Sequence, residues 1–271
     1  MTTISGLGKG SRARLVKLLR DTKGTISVKE AVASFGMSPK RAAETLGWWA
    51  EKGWLSRVRR GLYVPVPLES STGDVALEDP WLVAARLFAP CYIGGWSAAE
   101  HWNLTEQIFR SVLVCTAGRP HKSKSTIKET TFVLRTITRK AMFGTKSVWR
   151  GRVKIDESDP TRTILDLLDD PALGGGLRHT VDVIRNYLDS DYKDFPLLIA
   201  YADRLGNGAV FKRLGFILEN VGPTEKETIE ACRRRLTKGN AKLDSALPAK
   251  RLVTAWRLLT PKNWTPEGKH D

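Results

Sequence analysis

The chain has 271 residues, 41% of them hydrophobic with nine tryptophans, and a formal net charge of +15. That apolar content excludes a disordered polyelectrolyte and suffices for the cores of two globular domains. No run approaches the roughly 20 apolar residues that span a bilayer, and the N-terminal MTTISGLGKGSRAR lacks the apolar stretch and cleavage site of a secretory signal.

Cys91, Cys115 and Cys232 are odd in number and far apart, so they fit neither a disulfide framework nor a zinc site. Each is expected to be a small buried hydrophobe in a reducing cytoplasm. The four histidines show no metal-ligand spacing, and no metal or cofactor is expected.

Residues 25–64 carry the densest local signals. Ser27 and Glu30 have capping-box spacing, opening a short helix that buries Ala31, Val32 and Phe35 and stops at Gly36. Ser38 then serves as N-cap and Pro39 as first residue of a second helix. Two capped helices across so tight a turn predict a helix-turn-helix, whose second helix can enter a DNA major groove. Ala42, Ala43, Leu46, Trp49 and Ala50 form its buried stripe; Lys40, Arg41, Glu44 and Trp48 point outward, with Thr45 on the flank. The extended runs Trp54–Val58 and Leu62–Val64 flank Arg59-Arg60-Gly61, a hairpin with glycine at its turn. This predicts a wing from which Arg57, Arg59 and Arg60 project toward phosphate or minor groove.

Beyond the wing, 67–79 (PLESSTGDVALED) reads as a linker. Helices are predicted from Pro80 and over Ser97–Trp102, then strands at 112–115, 131–134 and 153–155, with 148–150 as partner to the last. Helices return at 160–168, behind Ser158-Asp159-Pro160 as cap, after Gly174-Gly175-Gly176, at Phe195–Leu205, at Ala209–Asn220 and at Glu225–Lys238. The fold class is therefore α+β: a winged helix-turn-helix (1–66), then a larger mixed α/β domain (80–271). That domain has an antiparallel-type sheet in a strand-rich basic part (about 108–155) and a helical part (about 158–260).

Charge is distributed in blocks. Residues 1–66 hold 13 Lys/Arg against 4 Asp/Glu, 67–109 one Arg against six acids, 110–154 twelve bases against Glu129, and 155–271 equal numbers. Two basic blocks imply a polyanionic partner. In the second, Arg119, Lys122, Lys124, Arg135, Arg139 and Lys140 are candidate secondary phosphate contacts, on a sheet with one basic face or on basic loops along one edge. That block can extend a DNA footprint, bind RNA or an acidic protein, or be a solvated face.

The layout resembles the AbiEi-type antitoxins of bacterial type IV toxin–antitoxin (abortive infection) systems. The resemblance lies in the winged helix ending Arg59-Arg60-Gly61-Leu62-Tyr63, in Tyr92-Ile93-Gly94-Gly95-Trp96-Ser97-Ala98-Ala99, in Ser158-Asp159-Pro160-Thr161-Arg162-Thr163-Ile164-Leu165-Asp166-Leu167-Leu168, and in Arg213-Leu214-Gly215-Phe216-Ile217-Leu218-Glu219. It implies a cytoplasmic, non-enzymatic repressor of its own operon that binds double-stranded operator DNA with inverted repeats. By position, Ser38, Lys40, Arg41, Thr45, Arg57, Arg59 and Arg60 would contact that DNA. It also implies a nucleotidyltransferase-like toxin, counteracted through the C-terminal domain without a required stable complex.

Two other functions remain open: a regulator without a toxin, and a metal-dependent nuclease. A nuclease needs clustered carboxylates. Asp156, Glu157 and Asp159 at a strand-to-helix junction are the nearest to such a cluster, although Asp159 is better placed as a helix cap. Asp166, Asp169 and Asp170 are expected to face solvent.

Overall fold

The computed structural model describes residues 6, 8–22, 24–66, 79–172, 174–221, 225–262, 264 and 265. The chain begins with α1 (Lys9–Asp21), β1 (Ile26–Ser27), α2 (Val28–Phe35), α3 (Pro39–Glu51), β2 (Leu55–Arg59) and β3 (Leu62–Pro65). The capping box forms as the spacing requires: Ser27 Oγ accepts from Glu30 N–H, and Glu30 accepts from Ser27 N–H at 2.7 Å. Gly36 ends α2 at φ 64°, in the left-handed region. Ser38 caps α3 with Pro39 behind it. One core joins these elements, with Leu15, Leu18, Ala31, Leu46, Trp49 and Tyr63 at its centre and Phe35 edge-on to Trp49. The sequence reading did not include α1, yet its Leu15 and Leu18 close this core. The strands lie in the order β1-β3-β2.

The expected linker falls outside the described residues except for Asp79, whose carboxylate caps α4 (Pro80–Leu87) by accepting from Trp81 N–H at 3.0 Å. Then follow β4 (Cys91–Ile93), α5 (Gly95–His101), β5 (Ser111–Thr116), β6 (Lys124–Ile127), β7 (Thr130–Thr136), β8 (Thr145–Arg150) and β9 (Val153–Ser158). These strands form one sheet in the order β6-β7-β5-β4-β9-β8. It is mixed: three neighbouring pairs are antiparallel, whereas β5/β7 and β4/β9 are parallel. Alternation along the strands divides their side chains between two layers. Ile93, Val112, Val114, Phe132, Leu134 and Ile155 meet Trp81, Val83 and Ala84 of α4.

The opposite layer contains α6 (Pro160–Asp169), buried from Pro160 through Leu168. Around it stand α7 (Leu177–Asp189), α8 (Phe195–Leu205), α9 (Gly208–Val221) and α10 (Lys226–Arg234). Short strands β10 (Ala241–Lys242), β11 (Arg251–Val253) and β12 (Leu258–Thr260) pair in the order β10-β12-β11. This last sheet was not anticipated, and the helix expected to reach Lys238 stops at Arg234. Trp256 lies under α9, where Gly215 is required: a Cβ there would come within 2.2 Å of the indole.

The burial of α6 overturns the expectation that its acids face solvent. A helix covered on every side must satisfy its polar positions internally. Asp166 is 3% exposed and accepts from Arg162 Nε at 3.0 Å and from the Tyr92 hydroxyl at 3.1 Å. Asp169 is paired with Arg135 and accepts from Asn207. Cys115 and Cys232 are buried as expected, but Cys91 is only half-buried. Burial pushes all three thiols up to about 12.

Candidate nucleic-acid interface

The capped turn sets the exposed face of α3. Ala42, Leu46 and Trp49 are buried, so the helical repeat turns Lys40, Arg41, Glu44 and Trp48 to solvent, with Thr45 half-buried. The Thr45 hydroxyl donates to the Arg41 carbonyl at 2.8 Å, holding it against its own helix. Ser38 Oγ accepts from Arg41 N–H at 3.4 Å, so its hydroxyl is partly engaged in capping. Arg41, Glu44 and Thr45 border a groove whose far wall is α1, through Arg14 and Lys17. Lys17 Nζ donates to Ser34 O at 2.8 Å, bracing that wall against α2.

On the other side of α3, Ala43 shares a second groove with Arg57, Arg60 and Gly61 of the wing. Gly61 sits at φ 77°, the conformation that this tight turn needs. The Arg57 guanidinium lies 5.4 Å from the Tyr63 ring centroid, and its Nη2 donates to the Tyr63 hydroxyl at 3.2 Å. Arg59 and Arg60 are exposed at the wing tip, next to a bulge between Arg57 and Arg59. The seven residues expected at a DNA surface thus lie on one helix and the hairpin beside it.

The second basic block is different. Residues 110–154 are not one face or one edge: the sheet order places β6 and β8 at opposite edges. Five steps of about 4.8 Å put those edges roughly 24 Å apart. Arg119, Lys122 and Lys124 are exposed at or before β6, and Arg139 and Lys140 are exposed on a 3-10 turn after β7. Arg135 is a correction. Its side chain is 14% exposed, ion-paired with Asp169, and donates to the Asp166 carbonyl at 3.2 Å, so it faces the interior. Lys146, Arg150, Arg152 and Lys154 lie on the β8–β9 hairpin at the far edge, which the sequence reading did not separate from the rest.

The acids at the strand-to-helix junction diverge. Asp156 is exposed and accepts from Ser147 Oγ at 2.7 Å. Glu157 is fully buried on the α4 side, 3.3 Å from His101 Nε2. Asp159 caps α6, accepting from Arg162 N–H at 2.8 Å and from the Tyr201 hydroxyl at 3.1 Å. Among the described residues, no three His, Cys, Asp or Glu side chains converge as a metal site would require. None of the described helices is long and apolar enough to cross a membrane.

The whole architecture has a solved counterpart. It is similar to the crystal structure of the RV2827C protein from Mycobacterium tuberculosis, at a TM-score of 0.64 and 15% identity over 96% of this chain and 94% of that one. At that identity the likeness shows the fold alone. No curated protein matches the sequence. The segment from α1 to the end of the wing, residues 13–66, matches the family described as transcriptional regulator, AbiEi antitoxin.

Proposed function

We propose that this chain is an antitoxin and transcriptional autorepressor, with a DNA-binding domain at 1–66 and an antitoxin domain at 80–271. The observation that carries the reading is the open face of α3. A capped recognition helix presents Lys40 and Arg41 in its first turn, and Arg57, Arg59 and Arg60 stand on the wing beside it. Arg41 suits bidentate contact with guanine, Lys40 guanine or phosphate, and the wing arginines phosphate or minor groove. Operator DNA with inverted repeats is the natural ligand. The family match over 13–66 supports the regulator role. A nucleotidyltransferase-like toxin, countered with or without a stable complex, is the second partner, and the cytoplasm is the place of action.

Titration of a labelled duplex from the chain's own upstream promoter tests the DNA reading. Arg41→Ala should weaken specific binding by roughly 1–3 kcal/mol and leave binding to unrelated duplex nearly unchanged. Equal affinity for promoter and unrelated duplex in the wild type would refute it. Co-expression with the product of an adjacent nucleotidyltransferase gene tests the antitoxin half, read as growth rescue.

A further inference from the structure

The β8–β9 hairpin carries a tip that the proposed duplex-reading surface does not use. Trp149 is 65% exposed, although an indole at a sheet edge would ordinarily be covered. It pairs directly across the hairpin with Lys154, whose Nζ lies 5.1 Å from the ring centroid. Gly151 and Arg152 make the two-residue turn, with Gly151 at φ 58°, and Arg152 is exposed there. The nearest acid on the same face, Asp156, already accepts from Ser147.

The hairpin is anchored from behind. Val148 and Val153 pack on the α4 layer, and the Arg150 guanidinium lies 4.1 Å from the Trp81 ring centroid. Trp149 therefore stands on a fixed base, largely exposed, with two exposed cations alongside.

A flat apolar face beside cations complements a polyanion that also offers flat faces. Bases inside a duplex have both faces covered by neighbours, whereas unpaired bases do not. An acidic protein segment would engage Lys154 and Arg152 but leave the indole in water. We propose that the β8–β9 hairpin binds single-stranded nucleic acid, with Trp149 stacking on an unpaired base and Lys154 and Arg152 contacting the flanking phosphates. This contact is separate from α3 and the wing and does not depend on them.

Fluorescence anisotropy of the full chain with labelled oligo-dT and oligo-U strands tests it, with the promoter duplex in parallel. Trp149→Ala should lower single-strand affinity by roughly 5- to 150-fold, the range for loss of one base–aromatic stack. Trp149→Phe, which keeps an aromatic face, should retain most of the binding. Both variants should bind the promoter duplex as the wild type does, whereas Arg41→Ala should weaken promoter-duplex binding and leave single-strand binding unchanged. The relative affinity for the two strands tells RNA from DNA. The proposal is overturned if neither strand binds at low salt, or if Trp149→Ala binds single strands like the wild type. Parallel loss of duplex binding in Trp149→Ala, or equal displacement of the strands by poly-glutamate, would also overturn it. The exposed position of Trp149 lets both variants fold, which matching thermal unfolding checks.

Discussion

Removing the Asp166 carboxylate should be among the most damaging single changes in this chain. The Arg162 side chain is 1% exposed. Its Nε donates to Asp166 at 3.0 Å, its Nη2 to the Tyr92 oxygen at 3.0 Å, and its Nη1 has no partner. Phe143 covers the guanidinium at 4.3 Å from the ring centroid, and a water in place of the lost carboxylate would bring no charge to balance it. Asp166→Ala therefore strands a buried cation and deprives the Tyr92 hydroxyl of its acceptor. Breaking a buried pair from one side costs about 3–5 kcal/mol, a large share of the roughly 5–15 kcal/mol that holds a typical domain together. For a unit of this size that is a fall in melting temperature of roughly 6–20 °C. The double variant Arg162→Met with Asp166→Asn removes both charges with little change in volume, keeps an acceptor for the Tyr92 hydroxyl, and should recover most of the loss. Urea unfolding followed by circular dichroism measures each variant. Asp166→Ala within about 1 kcal/mol of wild type, or a double variant no more stable than the single one, would refute the reasoning.

Three further changes probe other parts of the molecule. Ser27→Ala removes the cap of α2 and should cost about 0.5–2 kcal/mol by thermal unfolding, whereas Ser27→Thr should cost less. Burial pushes Glu157 up to about 8 from its ordinary 4.5, against the opposing pull of Arg150 and Lys146. The folded state then holds a proton that the unfolded chain has released, so stability falls as pH rises from about 4.5 to about 8. Glu157→Gln should flatten that fall and stabilise the protein more at about pH 8.5 than at about pH 5, by at most roughly 4–5 kcal/mol. Parallel urea-stability profiles for variant and wild type across that range would dismiss it. Replacing Arg59 and Arg60 together by Gln should weaken binding to all duplexes and make the salt dependence shallower by about 0.9 per lost phosphate contact. An unaltered slope would remove the wing tip from the phosphate backbone.

The N-terminal elements from α2 to β3 were legible because their signals are local. A capping box, a left-handed glycine, an N-cap before proline and a glycine turn are each fixed within four residues. Burial along α6 was not legible, because it depends on what covers the helix from elsewhere in the chain. The phrases that marked the sequence as family-like have physical work there. Tyr92 reaches Asp166, Ser97 Oγ accepts from Leu113 N–H at 2.9 Å, and Asp159 caps α6. Arg213 donates to the Leu168 carbonyl at 2.7 Å and to the Lys242 carbonyl at 3.0 Å, and Glu219 accepts from the Trp256 indole at 2.6 Å. The basic block 110–154 misled for the same reason. Neighbours in sequence were placed on opposite edges by parallel pairings that no local pattern encodes. Trp149 was visible as a strand residue, but its exposure depends on β8 being an edge.

Helix α4 explains how the two candidate surfaces are held in relation to each other. Its Arg86 makes an ion pair with Glu30 at 3.1 Å and donates to Ser27 Oγ at 3.3 Å. The Arg86 side chain is exposed and that of Glu30 partly so, and a pair this open to water contributes little energy. The apolar contact is the stronger tie: Val58 and Val64 of the wing pack on the same cluster as Trp81, and Gly24 leaves room for Leu82 where a Cβ would come within 2.6 Å of it. On the far side of that cluster Arg150 lies over Trp81 and anchors the β8–β9 hairpin. Of these, Val58 is flanked in sequence by Arg57 and Arg59, which stay exposed. Docking and arginine presentation are therefore two consequences of one strand conformation, and a charge placed at Val58 would disturb both.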